Sequence, residues 1–139
     1  LYLNLEGREP TGVVPPTDAE DHLQRAARAL ADLESEGRPA VEMILTRAQA
    51  AVIGLDHPNT GDRVVVLARG FAAWGGVEGP ALEPSRYYGQ HGFLAAHDEM
   101  CGMLFARGAG IKRTRMGEVS ATEVAPMVAR GLGREMSGR

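Results

Sequence analysis

The sequence predicts an α/β layer fold, and three observations carry that expectation. A capped helical pattern opens the chain over residues 18–36. Compact apolar runs follow at 41–45, 64–68 and 100–105, and a second helical pattern closes it over 122–132. Strand and helix patterns alternate, the arrangement expected of layered α/β folds. No internal repeat or low-complexity tract interrupts them. At 139 residues, 44% apolar and 24% charged, the chain has the size and composition of one ordinary globular domain.

Each element has its own signal. Leu1-Tyr2-Leu3-Asn4-Leu5 alternates and reads as a short strand. A turn-rich stretch, Glu6 to Gly12, leads to Pro15-Pro16, which forbids regular structure until Thr17. Thr17 with Glu20 has capping-box spacing, and Leu23, Ala26, Ala27, Leu30 and Leu33 continue at helical spacing. Gly37 marks the stop, so the helix is expected over 18–36. Val41 to Leu45 is a strand, and Arg47 to Ile53 holds one or two helical turns. Asp56 to Asp62 is a loop dense in turn formers. Val64-Val65-Val66-Leu67-Ala68 is apolar on both faces, as expected of a central strand covered on both sides.

Gly70 to Tyr88 is a long irregular segment carrying Trp74, Tyr87 and Tyr88. These aromatics are expected in packing, with a substrate-stacking surface as the alternative. Met100 to Phe105 is a further strand, with Cys101 as a small buried hydrophobe inside it. Gly108 to Gly117 is a loop. The last helix runs over 122–132. Thr122 as its N-cap puts Pro126 in the first turn, where a backbone N–H has no partner to lose.

Charge and cysteine content narrow the function classes. The formal net charge is −3, with a single lysine, Lys112, so there is no basic footprint for nucleic acid. The local cluster Lys112, Arg113, Arg115 reads as a solvated turn. One cysteine excludes an intrachain disulfide. No apolar stretch approaches the roughly 18 residues that span a bilayer. The chain opens with Leu1 inside what reads as a strand, which suggests that upstream residues belong with it.

The histidines are the candidate chemistry. No P-loop, nucleophile elbow or dinucleotide glycine fingerprint is present. Gly75 to Gly79 is glycine-rich but precedes no helix. His22 reads as a surface residue of the first helix. Asp56-His57 could supply two metal ligands, but Pro58-Asn59-Thr60-Gly61 makes it a turn. His97 follows Phe93-Leu94-Ala95-Ala96 without ligand spacing. His91 stands apart, because Gly89-Gln90-His91-Gly92 lets the backbone approach closely and aim an imidazole nitrogen. The pattern alone is more often that of a structural or surface histidine.

The order of the segments is more specific than any one of them. Tyr88-Gly89-Gln90-His91-Gly92-Phe93 precedes Met100-Cys101-Gly102-Met103-Leu104-Phe105-Ala106-Arg107-Gly108-Ala109-Gly110-Ile111-Lys112, and then Gly117 to Pro126. This run resembles the C-terminal signature of the type I phosphodiesterase/nucleotide pyrophosphatase family of the alkaline phosphatase superfamily. Leu3-Asn4-Leu5-Glu6-Gly7-Arg8-Glu9-Pro10-Thr11-Gly12-Val13-Val14 is similar to a strand-and-turn segment of bacterial members. Ala109, Glu123 and Met127 stand where proline, aspartate and threonine are common in the family.

The resemblance implies the C-terminal part of an alkaline phosphatase-like three-layer α/β/α sandwich, in a chain that is one piece of a larger hydrolase. It implies that His91 ligates one of two zinc ions, the nucleophile and remaining ligands lying upstream, and a small-molecule phosphate-ester substrate. It gives Asp56-His57 no role, since the family's Asp-His-Gly motif precedes the Leu-Asn-Leu segment. The isolated chain is then expected to be inactive. The competing reading is a stand-alone, non-catalytic binding module on the same fold.

Overall fold

The computed structural model describes residues 1–76, 78–108 and 110–136. The chain divides into two compact units, Leu1–Cys101 and Gly102–Arg139.

The first unit is mixed α/β. Its N-terminal segment forms no regular strand and folds back on itself, with a single parallel bridge between Leu5 and Val14. Asn4 O accepts from the N–H groups of Val13 and Val14 at 2.9 and 3.0 Å. Asp62 ties this turn down. It accepts from Leu3 N at 2.8 Å and from Arg8 Nη1 and Nη2 at 2.6 and 2.8 Å. The Arg8 guanidinium holds the Asp62 carboxyl below its ordinary range, with Leu3 N–H acting in the same direction and burial opposing.

Helix α1 spans Ala19–Ala31 after a 3-10 turn at Pro16–Asp18. It ends five residues before the expected stop, because the next residues form a hairpin. Strands β1 (Glu34–Ser35) and β2 (Arg38–Pro39) pair antiparallel through Glu36 and Gly37, at φ 53° and 72°. That is the left-handed pair a tight primed turn requires, so Gly37 serves the hairpin and not a helix cap. The expected Thr17/Glu20 capping box is also absent. Thr17 Oγ1 donates to Asp18 Oδ1 at 2.9 Å, while Glu20 is drawn to Arg63 at 2.7 Å. A charged tertiary partner outweighs a neutral cap bond.

Strands β3 (Val41–Thr46) and β4 (Arg63–Leu67) pair antiparallel, from Thr46↔Arg63 to Val41↔Leu67. The register shifts between Val41 and Met43, which places an irregularity at Glu42. Between the strands lies α2, Arg47–Val52, opened by a capping box of Thr46 and Gln49. The run 64–68 is therefore half of a two-stranded ribbon and not a central strand. Only Val66 among β4's residues is buried. Leu23 on α1, Ala40, Ala50 on α2 and Val66 form the small core.

The run Met100–Phe105 does not form the expected strand. Asp98–Met100 is a 3-10 turn and residues 101–107 carry no regular structure. Met103 and Phe105 are each 87% exposed, and Cys101 is a free, exposed thiol, contrary to its expected burial. A strand needs a neighbour for its backbone groups, and no described residue supplies one.

In the second unit, a 3-10 turn at Ala121–Glu123 leads into α3, Val124–Gly131. Ser120, not Thr122, is the cap of this turn, accepting from Thr122 N. Pro126 sits in the first turn of α3, where it removes no helical bond. Val124, Pro126, Met127 and Ala129 are its less exposed positions. Ala109, in the loop expected over 108–117, lies outside the described residues, as does Val77 of the glycine-rich stretch. Among the described residues no helix is long and apolar enough to cross a membrane.

Candidate functional site

The candidate ligand lies on the chain that leaves β4. Ala68 N donates to Ala40 O at 2.9 Å, and Phe71 N to Ala68 O at 3.1 Å. Beyond them the described residues up to Tyr88 carry no helix or strand, in line with the expectation for Gly70 to Tyr88. Trp74 and Tyr87 face each other with ring centroids 5.8 Å apart and planes tilted by 30°. Ser85 Oγ accepts from Tyr87 N at 3.1 Å and fixes the turn before it. Trp74, Tyr87 and Tyr88 are exposed, so their rings stay outside the core where packing would have put them.

His91 is exposed on this segment. Gly92, next to it, has φ 91°, a backbone state that favours glycine. Gly89 has open space around the position of a side chain.

The other three histidines have occupied rings. His22 Nδ1 lies 3.0 Å from Arg25 Nη2 on α1. His57 Nδ1 accepts from Asn59 N at 3.1 Å, and its carbonyl accepts from Thr60 N and Arg47 Nη2. His57 is a turn residue. His97 Nε2 lies 2.9 Å from Glu42 Oε2. Sequence reasoning missed this last pair, because 55 residues separate its members. The one available signal was a carboxylate, Glu42, standing inside the apolar run 41–45.

The fit to a metal can be tested on these positions. An exposed imidazole that holds no hydrogen bond among the described residues suits a ligand. Among the described residues, however, no three His, Cys, Asp or Glu side chains come together to hold an ion. Structural and catalytic zinc sites take three or four protein ligands. His91 therefore fits one position of a zinc site, and the described residues do not complete one. No family model, curated protein or solved structure matches the chain.

Proposed function

We propose that this chain is the C-terminal portion of a zinc-dependent phosphodiesterase/nucleotide pyrophosphatase-like hydrolase of phosphate esters, and that His91 is one of its metal ligands. The carrying observation is the glycine-bounded His91, which opens the sequence run from Tyr88 to Pro126 and is exposed, with no hydrogen bond to its ring among the described residues. The exposed apolar residues Met103, Leu104 and Phe105 also support the reading. In a larger protein they would pair with, and be covered by, further strands of a three-layer α/β/α sandwich.

In that setting the metal pair supplies activation of a hydroxyl nucleophile and stabilisation of charge on phosphorus. This chain's part is narrower. A neutral His91 imidazole offers a nitrogen donor, and its second ring nitrogen is left to donate to an oxygen acceptor.

The decisive experiment uses the parent protein. His91→Ala is expected to lower zinc content and turnover together, and retention of both ions with full turnover removes His91 from the site. The 139-residue chain alone is expected to leave bis-p-nitrophenyl phosphate intact. Hydrolysis by this chain, lost on His91→Ala, refutes that expectation. Reading the gene upstream of Leu1 separates the two classes of function. An in-frame nucleophile and Asp-His-Gly motif favour the hydrolase, and a start codon just before Leu1 favours the binding module.

A further inference from the structure

The segment that follows His91 is docked rather than loose. Phe93, Leu94, His97 and Met100 are partly covered, whereas Ala95, Ala96, Asp98 and Glu99 are exposed. Phe93, His97 and Met100 line a cavity of about 180 Å³ together with Arg69, Gly70 and Glu99. Two charged contacts join this segment to the sheet region. Arg69–Glu99, at 2.8 Å, is 61% and 63% exposed, the kind of surface pair that contributes little. His97–Glu42, at 2.9 Å, is only 19% and 27% exposed.

The backbone has a local reason to offer Glu42. The register of β3 slips between Val41 and Met43, and such an irregularity re-aims a side chain. A carboxylate only accepts, so His97 Nε2 carries the proton and donates. His91 lies two residues before Phe93, within about 7 Å along the chain, so whatever fixes Phe93 also limits His91.

We propose that Glu42 and His97 are positioning residues: their hydrogen bond holds the Phe93–Met100 segment against β3 and thereby sets where the His91 loop sits. The inference rests on the hydrolase reading for its functional meaning, but its geometry does not need zinc.

The test is made on this chain by amide hydrogen exchange and backbone NMR relaxation. The reporters are the N–H groups of His97 and Met100, which donate to Leu94 O and His97 O at 3.1 and 2.9 Å, and the backbone order of Gly92. Glu42→Ala and His97→Ala are each expected to speed exchange at both reporters about tenfold, the scale of one hydrogen bond to a charged group, and to lower the order of Gly92. Glu42→Gln keeps an acceptor and is expected to restore both to within about twofold. Wild-type exchange and an unchanged Gly92 in Glu42→Ala overturn the proposal. So does a Glu42→Gln chain as loose as Glu42→Ala. Protection of the β3–β4 amides verifies that each variant is folded. None of these readouts uses metal or turnover, so they are independent of the zinc content of His91→Ala, which decides the hydrolase reading.

Discussion

Gly12→Ala isolates a steric effect that the structure makes calculable. Gly12 is not among the glycines at positive φ, so an alanine there meets no backbone strain of its own. Its Cβ would instead overlap the carbonyl of Leu5 and come within 2.6 Å of Glu6 N. These are backbone atoms and cannot rotate aside, so the fold-back of the N-terminal segment must open. Three backbone bonds cross it: Glu6 N to Val14 O at 2.9 Å, Val13 N to Asn4 O at 2.9 Å, and Val14 N to Asn4 O at 3.0 Å. At about 0.5–1 kcal/mol net each, a value that already counts the water that replaces them, opening costs about 2 kcal/mol. With a slope of about 1–2 kcal/mol/M, the urea midpoint should fall by about 1–2 M. Gly7→Ala is the contrast. Gly7 has φ 77° with open space around it, so only the left-handed backbone state is penalised, by about 1 kcal/mol. Urea unfolding followed by far-UV circular dichroism checks both. A Gly12→Ala loss under about 0.5 kcal/mol, with wild-type exchange at the Glu6, Val13 and Val14 amides, would refute the reasoning.

Two further predictions concern the first unit. Leu23, 6% exposed on α1, is the largest side chain of the core, and Leu23→Ala should cost about 2–4 kcal/mol in the same urea assay; a loss below about 1 kcal/mol would show that the site collapses or was never packed. Asp62 and Glu20 have folded values lowered chiefly by hydrogen bonds from Arg8 and Arg63, so the folded chain binds fewer protons than the unfolded one. Their stabilisation is full above the ordinary carboxylate range, near pH 4, and is lost as pH falls through their lowered values. Asp62→Asn should therefore flatten the acid limb of the stability curve, and a limb parallel to wild type would exclude Asp62 as a contributor.

The local signals were read well where the chain satisfies them locally. The apolar runs at 41–45 and 64–68 became β3 and β4, and Arg47–Val52 became a short helix. Thr46 and Gln49 have capping-box spacing, and the structure forms that box at the start of α2. The errors fall where a distant partner decides. Glu20 had the spacing of a cap residue but was taken by Arg63, 43 residues away. Met100 to Phe105 had strand composition, yet composition cannot supply the adjacent strand, and Cys101 to Phe105 stand exposed. The irregularity at Glu42 and the inward turn of His97 left no trace in spacing at all.

By itself the sequence determined the mixed α/β character, the position of three helical segments, and the glycine-bounded setting of His91. Those follow from periodicity, capping chemistry and backbone freedom, which act over a few residues. Only the tertiary structure decided that β4 is one half of a ribbon, that Cys101 lies exposed, and that His97, without ligand spacing, is the histidine with a carboxylate partner. Burial and ion pairing depend on which distant segments meet, and that is settled by the packing of the whole unit and not by the order of neighbouring residues.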